Sequence, residues 1–359
     1  SSTPSPLPTP KRQRKIQQFF SINRPSFLGC ILVTIFSFVL QFYLPQPDIK
    51  IKKPNQGSHP LAFKLNELFY MIPQINCLAN YTDSLYEITL ISFTVTSIYF
   101  CLQYTGQSPI LSFLVSILIL FDETTYAMMI HNPSFAFQIQ RMAAVISLSN
   151  EIIMNDKFSI IGMEAIFGCL FNLVVLTYLR IENVPIIFVY IVALSYSNPF
   201  RPKSRHFIIQ ALSLIGKSIF LILAIAITAV FIGLIVYFFD FPHFDLVKRQ
   251  SYKVVDEFFD EAHNFAFILL PLFALIFSFS SKKPPFMLIS YFACMVLTFF
   301  LPLGSNLDDF KLKVANIQFY SIVWFGSALV TPDAGIIRKL VICFTLCLVV
   351  FLYIYPLRD

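Results

Sequence analysis

The chain has 359 residues, of which 57% are apolar and only 13% charged, and its mean hydropathy is +0.71. Soluble domains carry roughly a quarter of their residues as charges, so this composition excludes a water-soluble globule and points to an all-α, polytopic membrane protein. The formal net charge of +6 is distributed by side of the membrane, as shown below, and gives no reason to expect nucleic acid as a partner.

In chain order, Ser1–Pro10 is rich in Ser, Thr and Pro and is followed by the basic run Lys11–Lys15. Residues 1–26 are therefore expected to form a disordered cytoplasmic tail against the headgroups, ahead of a single transmembrane domain over 27–359. A run that crosses about 30 Å of hydrocarbon needs roughly 20 apolar residues, fewer when its flanks snorkel. About eleven candidates meet that description: Phe27–Leu44, Ile88–Tyr104, Pro109–Phe121, Pro133–Ser149, Phe158–Leu179, Val184–Ser197, His206–Phe239, Asn264–Ser280, Pro285–Pro302, Ile317–Thr331 and Arg338–Pro356. The runs 109–121 and 184–197 are short, whereas 206–239 is either one tilted helix or an interfacial turn followed by a span. No cleavage-site pattern follows Phe27–Leu44, so that span is expected to remain as an anchor.

Basic residues are retained on the cytoplasmic side during insertion. With an odd number of spans and a cytoplasmic N-terminus, the cytoplasmic pieces carry Lys11, Arg12, Arg14, Lys15, Arg24, Lys157, Arg201, Lys203, Arg205, Lys282 and Lys283, against Glu151, Asp156 and Asp333. The opposite side collects most of the acids, including Asp48, Glu67, Asp83, Glu87, Asp122, Glu123, Glu182 and the group Asp256–Glu261. The expected C-terminus is thus lumenal. The permitted glycosylation sequon Asn80-Tyr81-Thr82 lies in the loop placed outside the cytosol, which favours the endoplasmic-reticulum membrane or a later compartment. Cys30, Cys101, Cys169, Cys294, Cys343 and Cys347 fall inside spans and Cys77 stands alone on the lumenal side, so no disulfide framework is expected.

The first lumenal loop, from Pro45 to about Glu87, is longer than its neighbours. Ser58 can cap a helix, Pro60 suits its first turn, and Leu61, Leu65, Leu68, Phe69 and Ile72 share one face at helical spacing. An amphipathic helix on the lumenal leaflet follows. It serves either as a brace on the membrane surface or as the place where His59 and Lys64 meet a lipid-phosphate headgroup. Asp122-Glu123 is the paired carboxylate at the mouth of an early span, and it reads either as a polar helix terminus or as part of a site. Arg141, Glu164 and Lys217 lie within spans, at roughly 2.5–3.5 kcal/mol each for insertion, and are expected to face the bundle interior or one another. Arg141 is a candidate for a phosphate, and Glu164 with Lys217 for an ion pair. The segment Asp256–His263 matches no motif of known ligand geometry and reads as a solvated helix end, so no metal site is assigned.

Several of these segments together resemble the dolichyl-phosphate-mannose protein O-mannosyltransferases, of the GT-C glycosyltransferase superfamily. His59-Pro60-Leu61-Ala62-Phe63-Lys64-Leu65 is similar to that family's loop-one segment HPPLxKLL. Gln103-Tyr104-Thr105-Gly106-Gln107-Ser108-Pro109, followed by Leu118-Ile119-Leu120-Phe121-Asp122, resembles its third span, where a Gly-x-Ser-Pro turn leads through an apolar helix to a lumenal Asp. The likeness covers residues 27–180 and the last helix, and eleven spans with these end locations is also the family's topology. It implies a GT-C-like fold and transfer of mannose from dolichyl-phosphate-mannose to Ser/Thr hydroxyls of an acceptor protein, with inversion and with no cofactor beyond the donor lipid. The partners it implies are membrane lipid, the lipid-linked sugar, the acceptor protein, and a homodimer or a heterodimer with a related transferase. By position it assigns Asp48 and Asp122 to catalysis and turns Glu123 with Asp122 toward the acceptor or donor, while His59 and Lys64 of the amphipathic helix and Arg141 within its span remain the substrate-binding candidates read from their own placement.

The chain also departs from the family's pattern. An Asp-Glu pair early in loop one is reduced to Asp48-Ile49, the Gln-x-Arg beyond the third-span Asp is replaced by Met128, Ile130 and Asn132, and only Asp240–His263 stands where a sugar-binding MIR domain is usual. These departures keep open a catalytically inactive membrane subunit or scaffold and, behind it, a transporter, although paired halves and Gly-broken helices are not evident.

Overall fold

The computed structural model describes residues 27–44, 60–75, 79–154, 160–196, 265–279, 285–300 and 307–329, with scattered helical positions between 208 and 230 and between 341 and 351. Among these residues the architecture is all-helical, as the hydropathy pattern predicts. The helices are α1 (Phe27–Gln41), α2 (Pro60–Ile75), α3 (Ala79–Tyr104), α4 (Pro109–Phe121), α5 (Glu123–His131), α6 (Pro133–Met154), α7 (Ile160–Leu179), a 3-10 helix (Ile181–Ile186), α8 (Ile187–Tyr196), α9 (Phe265–Phe279), α10 (Pro285–Phe300) and α11 (Leu307–Ala328). Asp48, His59, Cys77, Lys217 and the Asp256–His263 segment lie outside the described residues, as do most of 206–239 and 338–356.

Local chemistry fixes the turns around α4. Gly106 takes φ 88, a left-handed conformation that costs glycine little. Ser108 is extended and its hydroxyl accepts from the Leu111 N–H at 3.4 Å, with Pro109 entering the first turn, where its missing N–H is no loss. At the far end Asp122 leaves the helical region at φ −82, ψ 103, and the chain turns by 75° into α5. The Asp122 carboxylate caps α5, accepting from the Thr125 N–H at 2.9 Å and from the Thr125 hydroxyl. Asn132 closes α5 through its N–H to the Met128 carbonyl, and Pro133 starts α6.

The side-chain bridges sort the helix ends into two groups. At one end the Gln107 amide, between α3 and α4, donates to the Gly326 carbonyl near the C-terminus of α11 at 2.8 Å, and Asn150 near the end of α6 meets Tyr291 near the start of α10 at 3.4 Å. At the other end Asn66 of α2 meets Asn132 and Ser134 at the start of α6, and Gln138 meets Asn316 in the first half of α11. Helices α6 and α7 run antiparallel, as Arg141–Asn172 and Val145–Cys169 show. Each of α3, α4, α6 and α7 thus enters from the end at which its predecessor left.

Helix α11 is the hub. Every side chain from Leu312 to Leu329 is buried, including Asn316, Gln318, Ser321 and Ser327. At Gly326 a Cβ would meet Leu102 Cδ2 at 2.6 Å and Val115 Cγ1 at 3.1 Å, so the bare backbone lets α11 approach α3 and α4 closely. Helix α1 is the opposite case: Leu32 is 59% and Ile35 57% exposed, while Val33, Ser37 and Gln41 point inward. There the Gln41 amide donates to Ser92 Oγ at 2.9 Å and the Ile88 carbonyl at 3.2 Å, and Thr34 pairs with Thr96 at 2.7 Å.

Among the described residues Leu85–Tyr104 is long and apolar enough to cross a bilayer unaided, and Pro109–Phe121 with Glu123–His131 adds a second span only if counted across the bend. Phe27–Gln41, Glu164–Leu179, Glu182–Leu194, Leu269–Phe279 and Met287–Phe299 are apolar but shorter. The expected eleven spans compare with one or two of bilayer length among these residues.

Four sequence expectations are corrected. Helix α3 begins at Ala79 rather than Ile88, so Asn80 lies in its first turn and not in a loop. Helix α11 begins at Leu307, ten residues before the expected Ile317, and its side chains are buried from Leu312 onward, Lys313 included. Helix α2 forms from Pro60 as expected, but its packed face is Ala62 and Asn66 against α6, leaving Leu68 exposed. Glu164 is exposed beside Phe167 and Phe171 because α7 turns Ala165, Ile166, Cys169 and Leu170 inward.

Candidate functional site

The end of the bundle where α2, α5, the start of α6, the 3-10 helix and the first half of α11 meet concentrates the polar side chains. Asp122 is 4% exposed there, and burial pushes its carboxyl up to about 6, against the opposing pull of the two Thr125 bonds. One oxygen takes both Thr125 bonds. The other has no hydrogen-bond partner among the described residues. Glu123 points the other way and is exposed. The two adjacent acids therefore do not form a shared pair.

Arg141 sits two turns into α6 and is half-buried. Its guanidinium lies over the Phe137 ring at 4.8 Å, and Phe137 in turn packs on Phe69 of α2, with ring centroids 6.3 Å apart. One Nη donates to Asn172 at 3.4 Å, and the buried Nε has no partner. A guanidinium cannot discharge by deprotonation in a protein, so the charge stays in this half-buried place with one donor unused. Lys64 is different. It is 44% exposed on α2 and engages Glu67 at 2.9 Å, three residues on. Among the described residues no hydrogen bond or ion pair joins Lys64, Asp122 and Arg141, although α2, α5 and α6 share this end.

The sequence reading overlooked a line of buried amides. The Asn66 amide donates to Asn132 Oδ1 at 3.4 Å and its carbonyl accepts from the Ser134 N–H at 2.7 Å, pinning α2 to the start of α6. The Gln138 amide donates to Asn316 Oδ1 at 2.8 Å, Asn316 donates to Asn183 Oδ1 at 3.3 Å, and Asn183 donates to the Leu176 carbonyl at 3.0 Å. Glu182 beside it is buried with Oε2 unpaired. A signal was present: Ser134/Gln138 and Asn316/Tyr320 are polar pairs at i, i+4 within apolar stretches, a pattern that places both groups on one helix face. Among the described residues no three His, Cys, Asp or Glu side chains come together to hold a metal ion.

No family model, no curated protein and no solved structure matches the chain.

Proposed function

We propose that the chain is a multi-pass membrane protein of about eleven spans, with its N-terminus cytoplasmic and its C-terminus lumenal in the endoplasmic reticulum, whose Asp122 end handles a lipid-linked sugar phosphate. The membrane part rests on polarity turned inside out: apolar side chains cover the outside of α1, and amides fill the inside of α11. The alternating helix ends support it, since each helix of a polytopic chain must return across the bilayer. The resemblance noted above then names the donor as dolichyl-phosphate-mannose and the acceptor as a protein Ser or Thr hydroxyl, with a related transferase as a candidate partner subunit.

The observation that carries the site is the unpaired Arg141 Nε. A half-buried cation with an unused donor, stacked on Phe137, which in turn packs on Phe69, suits a phosphate that arrives on an apolar chain. In the transfer a carboxylate accepts the proton of the acceptor hydroxyl as its oxygen bonds the anomeric carbon. The bond from that carbon to the phosphate oxygen breaks, its electron pair stays with the phosphate, and dolichyl phosphate leaves with its added charge met by Arg141. Asp48 and Asp122 are the two candidate bases. A carboxyl pushed up to about 6, as at Asp122, is suited to proton transfer near neutral pH.

The test is binding of dolichyl-phosphate-mannose by the purified protein in lipid nanodiscs. Arg141→Gln is expected to weaken it about 10-fold or more, the loss of one charge-assisted hydrogen bond of about 1.5–3 kcal/mol. Unchanged affinity overturns the assignment. A second reading, a non-catalytic membrane subunit, is favoured by the Asp122 oxygen already committed to capping α5. Under it Asp48→Asn and Asp122→Asn leave mannosyl transfer by the assembled complex unchanged, whereas catalysis by this chain requires one of them to abolish it.

A further inference from the structure

Asp122 stands between α4 and α5, and Thr125 is the third residue of α5. Both donors of Thr125 converge on one carboxylate oxygen: its N–H reaches Asp122 Oδ2 at 2.9 Å, and its hydroxyl donates to the same atom. A helix cap needs only the first of these bonds. The second comes from a fully buried side chain that makes no other hydrogen bond among the described residues. Oδ1 is left without a partner among those residues. It is not one of the unpaired side-chain atoms sealed inside the bundle, and Asp122 keeps 4% of its surface exposed. The carboxylate thus has one committed oxygen and one open one.

That asymmetry suits a proton acceptor. An oxygen that already holds two donors is the poorer place for a further proton, which therefore goes to the free oxygen. A protonated carboxyl still accepts at its other oxygen, so the two bonds to Oδ2 keep the group oriented while the proton arrives and leaves. We propose that Thr125 is the positioning residue of the Asp122 end, holding Oδ2 with both donors so that Oδ1 takes the proton of an acceptor hydroxyl. The inference rests on the reading of Asp122 as a base and adds the residue that acts through it. Burial raises the carboxyl, the Thr125 hydroxyl and then its N–H lower it, and Glu123 raises it. Around α5 stand His131 at its own end, Glu87 on α3, Arg141 on α6, and Lys311 and Lys313 on α11, and α4 carries no charged side chain. None of these is a cause of the change at Asp122. Among the described residues, Thr125 is thus what favours its charged form.

The test pairs two measurements on the full chain in lipid nanodiscs. One is an infrared titration of the protonated-carboxyl band that Asp122→Asn removes. The other is the pH dependence of mannosyl transfer from dolichyl-phosphate-mannose to a Ser/Thr peptide. Thr125→Val nearly keeps the side-chain size and spares the N–H cap while deleting the hydroxyl. It should move both midpoints to higher pH by about one pH unit or more, the effect of one hydrogen bond to a charged acceptor. Thr125→Ser returns the hydroxyl and should return both midpoints. Should the Val variant not fold, Thr125→Ala carries the same forecast. A merely structural cap would lower the thermal midpoint in Thr125→Val and move neither titration, and that result overturns the proposal. An infrared midpoint that moves while the transfer profile stays in place removes Asp122 as the base, and the positioning role of Thr125 with it. A wild type without transfer at any pH ends the catalytic reading above, and the infrared titration then decides by itself whether Thr125 sets the charge of Asp122.

Discussion

Helices α1 and α11 have exchanged the roles that hydropathy assigns them. FLGCILVTIFSFVLQ is almost wholly apolar, and its large side chains are turned outward, with Ser37 and Gln41 on the inward face. LDDFKLKVANIQFYSIVWFGSA carries both signs of charge and several amides and hydroxyls, and from Leu312 onward it is buried on every side. In water that arrangement would be doubly unfavourable, because it exposes a large apolar patch and buries polar groups. In lipid both choices are favourable. Outward side chains meet hydrocarbon, and inward amides act as the glue that apolar contacts do not supply between helices in a bilayer. The contrast is what the membrane reading proposed above expects, and it can be broken most directly on α1.

The largest effect is expected from Ile35→Asp. Ile35 is near the middle of α1 and outward-facing, and a carboxylate at the centre of a membrane helix costs roughly 2.5–3.5 kcal/mol on insertion scales. The membrane-integrated fraction after alkaline extraction should fall sharply. If the variant instead becomes more soluble and stays folded, α1 faces water and the inside-out account fails.

A comparable change is expected at Asp122, in the turn before α5, which packs on α11. Burial holds its folded-state carboxyl at about 6, above the unfolded value of about 3.9. The folded protein therefore binds this proton more tightly than the unfolded chain. Asp122 favours folding most below about pH 4, its contribution declines as pH rises through the window between 4 and 6, and it is flat above 6. The span of that decline is on the order of 3 kcal/mol at most. Asp122→Asn keeps an acceptor for the Thr125 N–H and should flatten the thermal midpoint of the purified protein across this window. An unchanged slope in the variant assigns it to other groups.

These two positions also show where sequence reasoning reaches. The turns around α4 were legible because they are local: Ser108-Pro109 starts a helix and Asp122 ends one, by chemistry confined to a few neighbours. The outward face of α1 was legible as an apolar run. Helix α11 was not, because its first turns Leu307–Lys313 read as a charged loop and the burial of the helix depends on α3, α4, α5, α9 and α10. The face of α2 was misread for the same reason. Periodicity selects Leu61, Leu65, Leu68 and Ile72, yet Asn66 is buried in place of Leu68, because its amide satisfies the Ser134 N–H at the start of α6. The Gln138–Asn316 bridge joins residues 178 positions apart, a separation across which no local pattern carries information.

The smallest effect, and the one that sharpens the site, is expected at Lys64. It and Arg141 are the two described cations that the sequence offers to a lipid phosphate, and they stand in opposite surroundings. Lys64 is nearly half exposed, beside Leu68 on the outward side of α2, and has Glu67 at 2.9 Å. A solvent-screened pair of this kind contributes from nothing to about 1 kcal/mol, and its charge is already met. Arg141 is set into the bundle with its Nε unmet. Lys64→Gln should therefore leave the thermal midpoint nearly unchanged and alter dolichyl phosphate affinity by about 2-fold or less, against about 10-fold or more for Arg141→Gln. Equal losses in the two variants would mean that the phosphate lies over α2, where Lys64 must leave Glu67 to reach it. The additional variant Glu67→Gln then decides between the two, since freeing Lys64 should tighten binding only if the phosphate is there.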